Sequence, residues 1–145
     1  MGLFDPISTA ETGVNVSQTW LDAISENIAN QNDTAPTSQG VYQTRFVVAQ
    51  PIAGQVEGTG PGSATEASIG GGVQIAGVAL GSPYGVETYQ PSNPLADKQG
   101  MVREANVNLG QQMTDMILAQ NGYEANLTTI SQAEQAYQAA LGLKA

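Results

Sequence analysis

The sequence predicts a mainly α protein of the α+β class: two long terminal helices forming an antiparallel coiled-coil-like pair, with a small irregular β segment and a flexible loop between them. Three observations carry that expectation. Counted from Leu109 in alternating steps of four and three, Leu109, Met113, Met116, Gln120, Tyr123, Leu127, Ile130, Glu134, Tyr137 and Leu141 trace a long heptad seam. The first thirty residues repeat the pattern, with Ile7, Val14, Leu21 and Ile28 at strict sevens and Leu3, Ala10, Ser17 and Ile24 at the other seam position. Between these ends lie short alternating apolar runs and glycine-rich stretches without helical period. The chain therefore divides into an N-terminal helix over 1–30, a middle region over 31–107 and a C-terminal helix over 108–145.

Composition excludes whole classes of function. The 145 residues carry a formal net charge of -9, and the four basic residues, Arg45, Lys98, Arg103 and Lys144, are scattered, so no stripe is available to neutralise phosphates. Nucleic acid is not an expected partner. No apolar run approaches the roughly 18 residues that a spanning helix needs, so direct membrane insertion is not expected either. Without cysteine or histidine there is no thiolate metal site, no cysteine nucleophile and no imidazole base. No cofactor, metal or catalytic residue is expected. Residues 1 to 44 hold no Lys or Arg and their apolar residues are spaced by seven, unlike a cleaved export signal.

In chain order, Asp5-Pro6 reads as a helix start, because Asp accepts from first-turn amides and Pro fixes a helical φ. Ser8 and Glu11 offer an overlapping capping box. Gly13, inside the helix, costs about 1 kcal/mol relative to Ala. Residues 31–40, rich in Asn, Asp, Pro, Ser and Gly, form a loop. Val41 to Gln50 alternates as a strand, with Tyr42, Phe46 and Val48 on one face. Pro51 to Gly72 reads as a flexible glycine-rich loop; its Gly58-Thr59-Gly60 lacks the rest of a nucleotide-binding motif. Val73 to Leu80 and Val86 to Tyr89 are further strands, which with the first would make a small sheet. Gln90 to Asn108 is expected as an ordered connector along the helices. Asn106 or Asn108 caps the long helix, and Gly142 ends it as a left-handed residue.

Closing a helix pair across about 75 residues costs roughly 4 kcal/mol of loop entropy, so the pair alone is fragile. The outer positions of the C-terminal helix carry amides and alanines instead of interleaved charges: Gln111, Gln112, Asn121, Asn126, Gln132, Gln135 and Gln138, with Ala119, Ala125, Ala133 and Ala139. Such a surface permits close packing on several sides, as inside a polymer. The expected subunit-packing residues are Ile7, Val14, Leu21, Ile24, Ile28, Met113, Met116, Tyr123, Leu127, Ile130, Tyr137 and Leu141. Gln120 and Glu134, polar and fourteen apart in the seam, can fix its register.

The run from Leu21 to Thr34, with Asn27, Ala29 and Asn30 at its helix end, followed by Tyr42, resembles the N-terminal signature of bacterial flagellar rod and hook proteins. Pro91, Pro94, Gly100 and Asn106 in the connector, with Tyr123-Glu124-Ala125-Asn126 in the long helix, resemble the FlgC family of proximal-rod proteins in particular. Val41 departs from the usual glycine or proline before the tyrosine, and Asn121-Gly122 stands where a basic and a small residue are common. The resemblance implies a non-enzymatic structural subunit of the basal-body rod that polymerises through its terminal helices into the drive shaft. It also implies export by the flagellar type III apparatus without a cleaved signal. The implied partners are copies of itself, other rod proteins, the ring-to-rod adaptor and the export apparatus. Asn27 and Asn30 are expected to set turn geometry. Two alternatives stand beside this reading: another axial protein, such as a different rod subunit or the adaptor, and an enzyme acting on the cell wall through paired carboxylates.

Overall fold

The computed structural model describes residues 5–52 and 71–142. Helix α1 spans Asp5–Ala29 and helix α2 spans Leu109–Gly142, at the two ends of the described chain. The start of α1 agrees with the Asp5-Pro6 signal. At α2 the cap falls to Asn108, whose Oδ1 accepts from the Gln111 amide at 3.0 Å. Gly142 is the last helical residue; the left-handed glycines are Gly72, Gly85 and Gly100, so the expected C′ role is not taken. With 34 residues against 25, α2 outruns α1 by about 13 Å at ~1.5 Å per residue.

The helices run in opposite directions, side by side. A Cβ on Gly13 would lie 2.6 Å from Asn126 Nδ2, one on Gly122 would lie 3.3 Å from Ser17 Oγ, and Asn27 bonds Gln112 at 2.8 Å. Each advance along α1 is matched by an equal retreat along α2, so one register holds throughout. This corrects the reading of Gly13 as a mere weak point. At Gly13 and Gly122 an added side chain would press on Asn126 and Ser17 of the opposite helix, so the helix-propensity cost is offset by the close approach that glycine permits.

The seam is also corrected. On α2 the buried residues are Gln112 and Ala119, with Met116, Gly122, Tyr123, Asn126 and Ile130 half-buried, while Met113, Gln120, Leu127, Glu134 and Leu141 are exposed. The helix is turned by about one residue from the position its large apolar side chains predict. Small residues let α1 draw near, and Met113 and Leu127 are left outside. Gln120 and Glu134 face solvent and cannot set this register; the buried Asn27–Gln112 bond does.

After α1 come strands β1 at Thr34–Pro36, β2 at Arg45–Pro51 and β3 at Val73–Leu80, of which β2 and β3 pack on another face of α1. The latter two form an antiparallel ribbon from Arg45↔Leu80 to Pro51↔Val73, with a register shift between Val48 and Ala49. The expected strand from Val41 is shortened because its first residues bond elsewhere: the Val41 amide donates to Pro83 O at 3.0 Å and the Tyr42 amide to Asp33 Oδ2 at 2.8 Å. The ribbon rests on α1, where the Val73 amide donates to Thr12 Oγ1 at 3.0 Å and Arg45 pairs with Glu26 at 2.5 Å. Pro51 lies in β2, and Ile52 exchanges backbone bonds with Gly71 and Gly72. The rest of the expected glycine-rich loop, 53–70, lies outside the described residues.

Strands β4, Val86–Tyr89, and β5, Met101–Glu104, join β1 in a second antiparallel sheet of order β1-β5-β4. The expected single sheet is therefore two, and β1 and β5 come from segments expected as loop and connector. Strands of three and four residues are too short to show alternation; central β5 makes them strands by pairing on both edges, with Val102 fully buried. The connector does not lie along the helices. Asp97 folds it into turns, accepting from the amides of Gln99 and Met101 at 2.9 Å each and from Thr37 Oγ1 at 3.0 Å. Those donors, the Met101 amide foremost, hold its carboxyl below the ordinary aspartate value. Gly100 closes the turn at φ +76, where a Cβ would meet Tyr89 at 2.8 Å.

The core is thin. Among the described residues the buried apolar ones are Ala10, Ala23, Ile24, Val41, Val102, Ala105 and Ala119, four of them alanine, and burying alanine removes little apolar surface from water.

Candidate assembly surface

Asn27 stands at the point where three segments of the chain meet, and it is 1% exposed. Its Nδ2 donates to Gln112 Oε1 at 2.8 Å and to Arg45 O at 2.9 Å. Its Oδ1 accepts from the Arg45 amide at 2.8 Å and from Tyr42 Oη at 2.9 Å. All four hydrogen-bonding positions of the amide are filled, which satisfies the condition for burying it. One side chain thus ties the end of α1 to the start of α2 and to the chain entering β2. Burial pushes the Tyr42 phenol up from its ordinary value. Thr44, also buried, donates to Asn106 O at 2.8 Å and accepts at its own carbonyl from the Gly81 amide, extending the junction to the residues before α2.

The other motif residues have more local parts. Ala29 and Asn30 are exposed, and the Asn30 amide donates to Glu26 O at 2.8 Å, finishing the helix as expected. The expectation that Asn27 also sets turn geometry is corrected, since its partners are 15 to 85 residues away in sequence. Thr34 begins β1, and its hydroxyl donates to Asn32 O at 3.2 Å. Pro91 and Pro94 lie exposed in the turns before Gly100. In α2, Tyr123 is half-buried, Glu124 and Ala125 are exposed, and Asn126 donates to Gly122 O at 2.8 Å while lying against Gly13.

Of the anticipated packing residues, Ile24 is 2% exposed between the helices. Ile7, Val14, Leu21 and Ile28 are half-exposed along one flank of α1, and Met116, Tyr123 and Ile130 are half-exposed on α2. Met113, Leu127, Tyr137 and Leu141 are exposed, and Ile117 and Leu118 join them at 58% and 54%. Of the residues that make the intrachain contact, Ser17 stands at an expected seam position, whereas Gly13, Gln112, Ala119 and Gly122 were missed by hydrophobic periodicity. Their signal is a recurrence of small or amide residues at sevens: Ala10 and Ser17 lead to Ile24, and Gln112, Ala119, Asn126 and Ala133 follow one another. Among the described residues no group of His, Cys, Asp or Glu is placed to hold a metal, and no helix is long and apolar enough to cross a membrane.

Similarity to known proteins bears on what this surface serves. Residues 98–143, from the Asp97 turns through α2, match the family described as flagellar basal body rod FlgEFG protein C-terminal. The flagellar basal-body rod protein FlgC of Borreliella burgdorferi is 34% identical over 150 residues, covering 99% of this chain and 98% of that protein. The chain belongs to the FlgC family. FlgC of Agrobacterium fabrum is 33% identical over 133 residues, 88% of each chain, and FlgC of Aquifex aeolicus 27% identical over 138 residues, covering 95% and 94%. The FlgC family is one of structural flagellar rod proteins and not of enzymes, which disfavours the cell-wall hydrolase and places the chain in the flagellar basal-body rod, in the service of motility.

Proposed function

We propose that this FlgC-family chain builds the proximal rod by packing the outer side of its helix pair, in coiled-coil fashion, against neighbouring subunits. The observation that carries the reading is the split seam of α2. Its small side is used within the chain, while Met113, Ile117, Leu127 and Leu141 remain exposed along a helix. Large apolar side chains left exposed along one helix, with Gln120 and Glu134 between them, suit an interaction surface. The last turns of α2, residues 135–142, are exposed, a further surface on which another subunit can pack.

In this reading the chain has three working parts: axial helices at 1–30 and 108–145, and a middle region at 31–107 that sits outside them. The partners are copies of the chain, other rod proteins and the ring-to-rod adaptor, after passage through the export apparatus. Torque transmission asks for stiffness and no reactive group, which agrees with a site built from amides, alanines and glycines. The test is a Met113→Glu, Leu127→Glu double variant in basal bodies. Both positions are exposed in the single chain, so its circular dichroism should be unchanged while rod incorporation falls at least tenfold. Unimpaired incorporation and swimming would show that the stripe is not an interface.

A further inference from the structure

Charge on the two helices is one-sided. Within α1 the carboxylates are Asp5, Glu11, Asp22 and Glu26, and within α2 they are Asp115, Glu124 and Glu134; neither helix contains Lys or Arg. Glu26 is paired with Arg45 of the ribbon, and the other ion pair of the described residues, Arg103 with Glu87, lies in the second sheet. The register of the helix pair places Ile7, Val14, Leu21 and Ile28 on the same flank as Met116, Tyr123 and Ile130, away from the side of α1 where Thr12 meets the ribbon. Met113 and Leu127 continue that flank outward on α2. By heptad spacing Glu11 and Asp22 lie on the outer side of α1 beyond this apolar valley and Glu124 on the outer side of α2, while Glu134 continues the line of Met113 and Leu127; all four are exposed.

We infer that this flank seats a helix of a different subunit, one whose apolar seam is edged by Lys or Arg, and not the same flank of a second copy. Two copies meeting flank to flank would bring carboxylates against carboxylates with no cation from either helix pair. Like charges beside such a valley oppose pairing, and opposite ones steer and orient it. The valley supplies non-directional adhesion and the carboxylates beside it choose the partner. This inference rests on the proposed rod-packing role and adds to it the chemistry of the neighbour.

The chain has no native cysteine, so Glu124→Cys carrying a benzophenone gives one photocrosslinking site beside the valley. In purified basal bodies, the captured peptide should come from another rod subunit and should repeat apolar residues at three and four with Lys or Arg beside them. Capture of the same flank of a second copy, or of an acidic helix, would overturn the inference while leaving the rod reading intact, because the chain would still be in the rod. Absence of the unlabelled chain from basal bodies would instead remove the rod reading and the inference with it. In parallel, Glu124→Lys, Glu134→Lys should lower incorporation at least tenfold and Glu124→Gln, Glu134→Gln by less. Equal incorporation of all three proteins, with unchanged circular dichroism, would show that charge does not select the partner.

Discussion

Replacing Asn27 with Ala tests whether the junction of the three segments is held by one amide. The change removes four hydrogen bonds, but they are not equivalent. Gln112 is 4% exposed, so its Oε1 would be left without a partner and without water, which costs roughly 1–3 kcal/mol. The half-buried Tyr42 hydroxyl and the part-buried backbone N–H and C=O of Arg45 each lose the net value of a bond, about 1 kcal/mol. Counting both Arg45 bonds, the loss is together roughly 4–6 kcal/mol, a large part of the ~5–15 kcal/mol that holds a whole domain. The comparison is Asn30→Ala, where a single exposed bond to Glu26 O is lost, at a cost of about 0.5 kcal/mol. Urea unfolding followed by Trp20 fluorescence would measure both, and a cycle with Gln112→Ala should return a coupling of about 1 kcal/mol or more. Equal costs for Asn27→Ala and Asn30→Ala, or no coupling to Gln112, would refute the claim that this amide sets the register.

Gly13→Ala should destabilise the helix pair despite its gain in helix propensity of about 1 kcal/mol, because the new methyl lies 2.6 Å from Asn126 Nδ2. Adding Asn126→Ala should reverse the sign and leave the double variant at least as stable as the parent; thermal unfolding of the three proteins decides it. Ile24→Asp places a charge at a 2% exposed site, at a cost of several kcal/mol. The protein should be made and secreted yet be missing from the rod, and normal incorporation would show that the helices do not need this contact. Asp97 titrates below 3.8 because of its amide donors, so its support of the turns is present above that value and lost as pH falls through the lowered pKa. Carbon NMR of its carboxyl should show a midpoint below 3.8, and a midpoint at or above it would remove the turn from the acid response.

The helices were legible because a period of seven over four or more heptads leaves little choice of local structure. The helix starts at Asp5 and Asn108 and the strands Val73–Leu80 and Val86–Tyr89 were likewise written in residue types and their spacing. The motif residues also singled out Asn27, though not what it does. Which side of α2 meets α1 could not be read this way. Hydrophobic periodicity weighs side-chain size, whereas the closest contact between Gly13, Ser17, Gly122 and Asn126 depends on what side chains leave empty. Nor could the spacing of Asn27, Tyr42, Arg45 and Gln112 announce that they share one hydrogen-bond junction, because loop closure brings them together from 15 to 85 residues apart. Strands β1 and β5 are the same case, since each owes its extended form to a neighbour more than local preference. The sequence alone determined the elements and the chemistry they exclude. Only the tertiary structure decided which face was used within the chain and which apolar face was left for another, because burial belongs to pairs of surfaces and not to either one.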